Sequence, residues 1–476
     1  MSAPDPSGAG SSGRGATGPR RPDMDTVFLF NEDGTRNFLH PADVSGRWQT
    51  RKQIVWAVLL LVYLVLPWVK VGGHPAIHLD IPGRQAFFFG LTFTNQDFYL
   101  MFFLLSGIGF TLFVLTSLWG RIWCGYACPQ TVFLEGVFRR IERWLEGPRE
   151  VRIRRNQGPW SGDKLGRKLS KWAIYLVLCF GIAHAFMAYF IPAEELLSVV
   201  RGSPTAHWTA FLWVMAMTTL LMVDMSWFRE QVCVVVCPYG RLQSALIDAD
   251  TIQIGYDKQR GEPRGKAGTT TGDCVDCFRC VAVCPTGIDI RNGTQLECVG
   301  CTNCIDACDS VMKKLGRPEG LVRYDSLRGF EGKRRGLLRP RAFVYAFLGL
   351  LGLSVATFAA SHRSTFEANL MRAKGLPYEL GETSIRNLIT MHLQNKTGEA
   401  RTYFVAPALS EEAEELDPEF IIPEKRVHIP AMGDVKIPLF VTVSREKYEE
   451  AFELSFAVTD SATGKVKPVK AKFLGP

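Results

Sequence analysis

Residues 273–310 read DCVDCFRCVAVCPTGIDIRNGTQLECVGCTNCIDACDS. Two runs of cysteines occur in this stretch, and each has the spacing C-x2-C-x2-C-x3-C. Bacterial ferredoxins bind two iron–sulfur clusters with this spacing. Thiolates are soft ligands, and they prefer iron–sulfur clusters, zinc or Cu(I) to hard cations. The stretch therefore predicts a bacterial-type two-cluster ferredoxin module with an α+β fold.

The order of the cysteines predicts which of them share a cluster, because the fourth cysteine of each run ligates the other cluster. One cluster is assigned to Cys274, Cys277, Cys280 and Cys308, and the second to Cys298, Cys301, Cys304 and Cys284. A zinc module and a disulfide framework are the alternatives. The close spacing within each run, and the proline that follows Cys284, favour iron–sulfur clusters over both.

The remaining composition narrows the class of protein. The chain has 476 residues, which is typical of about three domains, and a net charge of +8. All 13 cysteines lie between Cys124 and Cys308. Because disulfides concentrate in exported domains, thiols crowded into one segment indicate metal chemistry in a reducing compartment. No helix-turn-helix or zinc-finger pattern accompanies the positive charge, so nucleic acid is not an expected partner.

Five apolar runs have the length and composition of membrane-spanning helices. They are Ile54–Val69, Phe98–Leu118, Trp172–Phe190, Trp208–Met225 and Ala342–Ala360. Buried helices of a large soluble protein are the alternative. Aromatic ends and basic flanking residues favour an α-helical transmembrane bundle in contact with lipid.

The loops between these runs predict an orientation. Lysine and arginine are concentrated between the second and third runs and around the cysteine-rich stretch. Because basic loops stay on the cytoplasmic side of a membrane, the N-terminus and the ferredoxin module are predicted to be cytoplasmic. The chain after Ala360 is then predicted to lie in the periplasm, which places the protein in a bacterial inner membrane.

The predicted division of the chain follows from these features. It comprises a disordered cytoplasmic tail (1–46), a region of four spans (47–250), the cytoplasmic ferredoxin domain (251–325), a basic linker with the fifth span (326–362) and an immunoglobulin-like β-sandwich (363–476). The sandwich is predicted from alternating apolar segments, which are Ile385–Leu393, Arg401–Ala406, Lys436–Val443 and Phe452–Val458. We expect it to dock a partner.

A second cysteine pattern, C-x3-C-P, follows the second and the fourth apolar runs. Its cysteines are Cys124, Cys128, Cys233 and Cys237. On a helix, residues four apart share one face, and the proline is expected to loosen the helix there. Two such pairs facing each other would form a pocket of four thiolates, which suits Cu(I) or a further iron–sulfur cluster. Packing as small apolar side chains is the alternative.

Four other side chains are weaker candidates for a functional role, and one further cysteine is not expected to have one. Cys179, alone in the third span, is expected to fill space. His184 and Asp224 are ionisable residues in apolar runs, where burial is costly and function common. For His184, hydrogen-bonded packing is an equal alternative. His74 and His78, in the loop after the first span, could bind an external metal.

Several longer motifs make the chain resemble the FixG/RdxA/CcoG family of cytochrome c oxidase accessory proteins. They are GRIWCGYACPQTVFLE (120–135), REQVCVVVCPYGRLQSALIDAD (229–250), GEPRG (261–265), the ferredoxin stretch and GRPEGLVRY (316–324). The resemblance implies an inner-membrane protein with two [4Fe–4S] clusters that acts in assembly of the cbb-type oxidase. One local departure is Asp309, which stands where a proline would follow the second cysteine run.

The resemblance also implies an activity, the reduction of Cu(II) to Cu(I) for the oxidase copper site, with the C-x3-C-P cysteines as redox or copper residues. The chain has no strand–GxGxxG–helix pattern for a dinucleotide, so an external protein or quinol is the expected electron donor. Oxidase assembly factors or copper chaperones are the expected partners. The alternatives are a quinol-linked membrane ferredoxin that does not touch copper, and a non-enzymatic assembly scaffold.

Overall fold

The computed structural model describes residues 38–71, 74–94, 97–266, 268, 272–334, 336, 339–361, 364–372, 378–408, 416–431 and 433–476. Most of the predicted disordered tail lies outside these residues. Its last part, residues 38–46, is described, and the prediction of disorder is wrong there. The N–H of Ala42 donates to the carbonyl of Ala282 at 2.7 Å. Ala42 is buried with Val283 and Ala307, so this segment has an apolar anchor.

The chain divides into two compact units. The first consists of the described residues up to Val65, together with Leu105–Met187 and Leu196–Gly352. The second consists of Leu66–Leu104, Ala188–Glu195 and Leu353–Pro476. The cysteine motifs all belong to the first unit, and the C-terminal β-domain belongs to the second.

Fifteen α-helices occur in the described residues. They are α1 (Arg47–Val65), α2 (Phe98–Trp119), α3 (Ile122–Tyr126), α4 (Pro129–Phe133), α5 (Arg139–Glu146), α6 (Arg149–Gln157), α7 (Gly162–Met187), α8 (Ala193–Arg201), α9 (Trp208–Val223), α10 (Pro238–Leu246), α11 (Lys258–Gly261), α12 (Arg279–Ala282), α13 (Asn303–Lys314), α14 (Leu327–Phe330) and α15 (Pro340–Ser361). Three π-helical turns (Leu134–Phe138, Asp224–Phe228 and Val232–Val236) and two 3₁₀ turns (Leu66–Trp68 and Ile290–Asn292) accompany them.

Five helical segments among the described residues are long and apolar enough to cross a membrane. They are Arg47–Trp68, Tyr99–Trp119, Gly162–Met187, Trp208–Phe228 and Pro340–Ser361. Each contains one of the five predicted runs or most of it. The first helix begins seven residues earlier than the apolar run, at Arg47 instead of Ile54. Its first two turns carry polar side chains that hydropathy alone does not count as part of a span.

The ferredoxin region is built on a short antiparallel pair. Gln253 of one strand (Gln253–Tyr256) pairs with Asp325 of the other (Val322–Asp325). Helices α12 and α13 lie against this pair. Each begins two residues after a cysteine of the ferredoxin stretch, α12 after Cys277 and α13 after Cys301. The buried apolar side chains between them are Ile254, Tyr256, Ile290, Ile305, Met312, Leu321 and Val322. The pair closes the module because its two strands enclose the cysteine-rich stretch in the sequence.

The strands are numbered in chain order. They are β1 (Lys70–Val71), β2 (His74–Pro75), β3 (Ile77–Asp80), β4 (Gln85–Phe88), β5 (Leu91–Thr94), β6 (Gln253–Tyr256), β7 (Val322–Asp325), β8 (Phe366–Arg372), β9 (Glu379–Leu380), β10 (Ser384–Asn395), β11 (Arg401–Pro407), β12 (Glu419–Ile421), β13 (Arg426–Ile429), β14 (Asp434–Ser444), β15 (Glu453–Asp460) and β16 (Val466–Lys472). The segment between the first two spans, treated above as a loop, holds β1 to β5 in two small antiparallel sheets.

The C-terminal domain is a β-sandwich, as predicted from the sequence. One sheet has the order β12-β14-β10-β8, with β9 also on β10, and the other has the order β13-β11-β15-β16. The inner faces meet through aromatic pairs, Phe366 with Tyr403 at 5.1 Å and Phe420 with Phe456 at 5.6 Å between ring centroids. Alternating burial along β10 and β14 produces this core.

Candidate cluster and thiol sites

One cavity of the ferredoxin region is lined by four cysteines from both runs. Cys284, Cys298, Cys301 and Cys304 surround a space of about 330 Å³, which Cys280 also borders. The rest of the lining is apolar except for Thr286, and includes Ile254, Ile288, Ile290 and Val299. We call this the Cys301 cavity. Its four cysteines are the set that the spacing assigned to one cluster, and the ligand assignment itself stays a prediction.

A second cavity is lined by the other four cysteines. Cys274, Cys277, Cys280 and Cys308 border a space of about 370 Å³. Its apolar lining comes from Val275, Phe278, Val311, Met312, Leu321 and Val322, with Tyr256 and two arginines beside them. We call this the Cys280 cavity. Cys280 borders both cavities, so the two sites adjoin.

The thiols of each cavity are buried and affect one another. Burial, together with the neighbouring thiol of Cys284, raises the pKa of Cys298 to about 11. Burial also raises the pKa of Cys301 to about 12, and Cys308, with Cys277 and Cys274 beside it, has its pKa raised to about 12 in the same way. Several thiolates can exist together in such a site only when positive charge compensates them, and iron supplies that charge.

Both cavities fit the iron–sulfur clusters. The donors are soft thiols, the surroundings are apolar, and the four sulfurs lie around a space instead of converging on a point. Among the described residues, no three His, Cys, Asp or Glu side chains are placed to hold a single metal ion. A cluster is larger than an ion, and when bound it supplies one-electron transfer.

Two buried cations lie beside these cavities. Lys52 Nζ donates to the carbonyl of Cys301 and to Oδ1 of Asn303, both at 2.6 Å, and its side chain is almost fully buried. Arg291 donates to both oxygens of Asp289, at 2.8 and 2.6 Å, and its guanidinium lies 4.1 Å from the centre of the Phe278 ring. Sequence reasoning did not identify either residue as a buried cation beside a cluster cavity. A lysine at the start of an apolar run was the available signal for Lys52.

The C-x3-C-P motifs do not form continuous helices, which corrects the expectation of a loosened helix with both cysteines on one face. Cys124 lies in α3, but Cys128 has extended backbone angles (φ −62°, ψ 126°) and precedes α4. Likewise Cys237 (φ −67°, ψ 109°) precedes α10. Each proline occupies the first helical position, where its missing N–H costs nothing, so it starts a helix instead of distorting one.

The structure brings the four thiols of the two motifs together. Cys124 Sγ donates to Oε1 of Gln243 at 3.3 Å. Burial raises the pKa of Cys124 to about 11 and that of Cys233 to about 12, and neighbouring thiols of both motifs contribute to each rise. Burial also raises the pKa of Cys128. We call Cys124, Cys128, Cys233 and Cys237 the four-thiol site. Without metal, the thiols of Cys124, Cys128 and Cys233 are neutral at physiological pH, because their pKa values are raised.

Reciprocal hydrogen bonds hold the two motifs against each other. Arg121, before the first pair, donates to the carbonyl of Gly240 at 2.6 Å, just after the second pair. Gln130, after the first pair, donates to the carbonyl of Arg229 at 3.0 Å and to Oδ1 of Asp224 at 2.9 Å. Asp224 is therefore bonded to the first motif. These contacts fix the distance between the two pairs of thiols.

The first motif also touches the Cys301 cavity. A β-carbon on Gly125 would come within 2.4 Å of the carbonyl oxygen of Gly300, so the two backbones are in direct contact. The cation of Arg121 lowers the pKa values of Cys124 and Cys298 against the larger effect of burial, so it lies within electrostatic reach of both thiols. The four-thiol site and one cluster cavity are therefore neighbours within the same compact unit.

The two remaining candidates of the first unit, Cys179 and His184, make packing and hydrogen-bond contacts within the protein. Cys179 is fully buried among Phe138, Tyr175 and Met225, as expected of a space-filling residue. His184 Nδ1 lies 2.8 Å from the carbonyl of Phe180, one helical turn earlier.

In the second unit, the rings of His74 and His78 stack on Phe87 with centroids 4.2 and 5.8 Å from it. The Nδ1 atom of His78 is buried without a hydrogen-bond partner. The expectation of an external metal there stays a prediction.

A buried network of charges lies next to the second motif. Glu142 is bonded by Arg229 at 2.8 Å and approached by Arg152 at 3.5 Å and Lys171 at 3.7 Å. Arg139 bonds Glu230 at 2.7 Å and donates to the carbonyl of Pro285 at 3.4 Å. The network thus connects α5 both to the second motif and to the loop after Cys284. Sequence reasoning missed it, because its partners are up to 146 residues apart.

Three family models match the chain. The model described as "4Fe-4S dicluster domain" matches residues 228–327, which contain the second C-x3-C-P motif and all eight ferredoxin cysteines. The model described as "4Fe-4S binding domain" matches residues 100–151, around the first C-x3-C-P motif. The model described as "IG-like fold at C-terminal of FixG" matches residues 356–476.

Similar proteins cover most of the chain. Protein RdxA of Cereibacter sphaeroides is 38% identical over 388 residues, which are 78% of this chain and 82% of RdxA. Nitrogen fixation protein FixG of Rhizobium meliloti is 34% identical over 469 residues, 88% of each chain. The crystal structure of a FixG-related protein from Vibrio parahaemolyticus is 12% identical, with a TM-score of 0.21, and covers 24% of this chain and 97% of its own. The chain therefore belongs to the FixG/RdxA family, and it is a membrane electron-transfer protein with two [4Fe–4S] clusters.

Proposed function

We propose that this protein reduces Cu(II) to Cu(I) at the four-thiol site, with electrons that pass through the two clusters. The observation that supports this is the backbone contact between Gly125 and Gly300, because it sets the four thiols beside a cluster cavity. A ferredoxin has no need of four further buried thiols. Soft sulfur ligands retain Cu(I) better than Cu(II), so they favour the product of the reduction.

The chain's own residues have distinct parts in this proposal. One electron converts one Cu(II) into Cu(I), and the thiols that bind copper lose their protons to water. Gln243, whose Oε1 accepts from Cys124, orients that sulfur. Since no three of the sulfurs converge on one point, copper is held by two of them or draws them together on binding. The reciprocal bonds of Arg121 and Gln130 keep the pairs close.

The proposal extends to the cell. The copper would serve assembly of a cbb-type cytochrome c oxidase, and oxidase assembly factors or copper chaperones would receive it. The protein would lie in a bacterial inner membrane with its N-terminus and ferredoxin region in the cytoplasm and its β-domain in the periplasm. The excess of lysine and arginine in the loop after the second span and around the ferredoxin stretch supports this orientation.

A direct assay uses the purified full-length protein with its clusters reduced by dithionite. After anaerobic gel filtration removes the excess reductant, Cu(II) is added with a Cu(I)-specific chelator. We expect chelated Cu(I) to appear as the cluster absorbance returns to its oxidised level. Absence of Cu(I) above a cluster-free control would overturn the proposal.

The four-thiol site is tested by replacing Cys233 and Cys237 with serine. The variant should keep the iron content and the cluster spectra of the parent protein but lose copper reduction. Cys179→Ala is the matched control, because Cys179 is a buried thiol outside the site and should have no effect on turnover. Full copper reduction in the Cys233→Ser, Cys237→Ser variant would mean that these thiols only pack and take no part in the reaction.

A further inference from the structure

A third cavity, of about 650 Å³, lies beside the Cys301 cavity. Both cavities are lined by Cys298. Its other lining residues come mainly from the end of α2, the start of α3, the end of α10, β6, β7 and the loops around Cys298. We propose that this cavity binds the headgroup of a membrane quinol and is the point at which electrons enter the protein.

The lining suits an amphipathic ring from the membrane. Most of the cavity surface is apolar, and Trp119, Ile122, Ile247 and Ile290 contribute to it. Trp119 is the last residue of a membrane-spanning helix, the position at which tryptophans commonly mark the lipid–water interface. Leu296 also lines the cavity and is 64% exposed, which places an apolar side chain of the ferredoxin region at the cavity's edge. Binding sites of small molecules combine an apolar lining with a few polar groups in this way.

One buried polar group in the cavity has no hydrogen-bond partner. Gln253 Nε2 is buried and unpaired. A buried donor without an acceptor costs free energy, which a ligand carbonyl or hydroxyl oxygen would recover. The other buried or half-buried donors of the lining are paired within the protein, since Tyr324 donates to the carbonyl of Gly300, Gln295 to that of Asp289 and Arg121 to that of Gly240. Ser244 donates to the carbonyl of Arg241, and Thr294 is exposed to water. Gln253 is therefore the donor that would select a quinol over a plain acyl chain.

A quinol bound in this cavity would lie next to Cys298, and its oxidation is the reaction that we propose there. Oxidation of one quinol to quinone breaks two O–H bonds and gives two electrons and two protons. The clusters that the Cys301 and Cys280 cavities would hold could each accept one electron, and the protons would pass to water at the exposed edge near Leu296. The final oxidant is two Cu(II) ions per quinol. That last step rests on the proposed function, whereas quinol binding at Gln253 does not.

Binding is tested directly on the full-length protein in lipid nanodiscs with a short-chain azidoquinone. After illumination, peptide mapping by mass spectrometry should locate the label within residues 244–253 or 290–298. Gln253→Leu should weaken labelling about tenfold, because it removes one hydrogen bond from a buried ligand oxygen. Cys179→Ala, outside the cavity, should leave labelling unchanged. Leu296→Lys, at an exposed position, should weaken binding by placing a charge at the apolar edge.

The outcomes separate this proposal from its competitors. Label confined to other parts of the chain overturns it. Equal competition by a fatty acid without a ring, together with normal labelling of Gln253→Leu, means that the cavity holds an acyl chain and also overturns it. Stopped-flow measurement of cluster bleaching by quinol supplies the kinetic readout. Copper reduction by dithionite-reduced Gln253→Leu should be normal, so a failure of the copper proposal is distinguishable from a failure of this one.

Discussion

The backbone of Gly125 lies against the carbonyl oxygen of Gly300, and a β-carbon on Gly125 would come within 2.4 Å of that oxygen. The contact is reciprocal, because Gly300 has φ +65° and a β-carbon there would come within 2.8 Å of the carbonyl of Arg121. Two segments about 175 residues apart in sequence therefore approach each other closely at Gly125 and Gly300, where a side chain would not fit. One segment carries a C-x3-C-P thiol and the other carries two cluster cysteines.

This contact leads to a first prediction. Gly125→Ala should push the first motif away from the 299–301 loop, since backbone atoms cannot yield as a flexible side chain does. We expect a slower electron transfer to copper and partial loss of the cluster in the Cys301 cavity, measured by turnover, iron content and electron paramagnetic resonance. Gly166→Ala is the control, because a β-carbon on Gly166 has nothing within 4 Å. Normal turnover in Gly125→Ala would show that the contact is not needed.

The crossed ligand assignment gives a second prediction. Cys284→Ser should remove or alter the cluster of Cys298, Cys301 and Cys304, although Cys284 belongs to the other run in sequence. Cys308→Ser should instead affect the cluster of Cys274, Cys277 and Cys280. In each variant about half of the iron should be lost or show a changed spectrum, with the other cluster intact. Damage to the cluster of the same run in both variants would refute the assignment.

The sequence predicted the parts of the fold that depend on local patterns. Five apolar runs predicted the five long helices, and period-two alternation in segments such as Ile385–Leu393 predicted the β-sandwich. Cysteine spacing predicted two ligand sets, and the structure gathers the same sets around two cavities. The helices and the β-sandwich were predictable for one reason, since helical hydropathy and strand alternation are both properties of short stretches, whereas the ligand assignment stays a prediction.

The failures concern relations between distant residues. The C-x3-C-P cysteines were placed on one helical face, but Pro129 and Pro238 start new helices, and the facing of the two motifs depends on bonds such as Arg121 to Gly240. Lys52 gave only a hint of its role, because its acceptors at 301 and 303 are some 250 residues away. A pattern within a short stretch of sequence does not predict hydrogen bonds between residues so far apart.

A third prediction concerns Lys52. Its buried ammonium donates to the carbonyl of Cys301, so it stabilises negative charge in the adjoining cavity. Lys52→Met should lower the reduction potential of that cluster by tens of millivolts, because a neighbouring positive charge favours the added electron. A redox titration followed by electron paramagnetic resonance measures this shift. Arg51→Met, at an exposed neighbouring position where water screens the charge, should change the potential much less. An unchanged potential in Lys52→Met, with the cluster retained, would contradict the argument.

A fourth prediction concerns the charge network. Burial alone would raise the pKa of Glu142, but Arg229 and Lys171 lower it well below its usual range. Because the folded pKa is below the unfolded value of about 4.3, the resulting stability is present above that pH and declines as the pH falls further.

Glu142→Gln should therefore destabilise the protein at neutral pH by about 3–5 kcal/mol, as removal of one partner leaves buried cations uncompensated. Thermal unfolding of the purified protein measures the effect. The control is Glu150→Gln on α6, where the carboxylate is exposed. Equal stability of the two variants would mean that the network has no net stabilising role.

The last prediction is a pH dependence of Cu(I) binding at the four-thiol site. Burial raises the pKa of Cys124 to about 11 and that of Cys233 to about 12, so both thiols carry protons at pH 7 in the metal-free protein. Copper must displace one proton for each thiolate that it binds, and a rise in pH therefore favours the complex. The logarithm of the Cu(I) association constant should increase by about one per pH unit for each bound thiol between about pH 6 and pH 8. Competition with a Cu(I) chelator of known affinity measures this slope. Replacing a copper-binding cysteine by serine should lower the slope by about one, whereas Cys179→Ala should leave it unchanged. A slope near zero in the parent protein would mean that these thiols do not bind Cu(I).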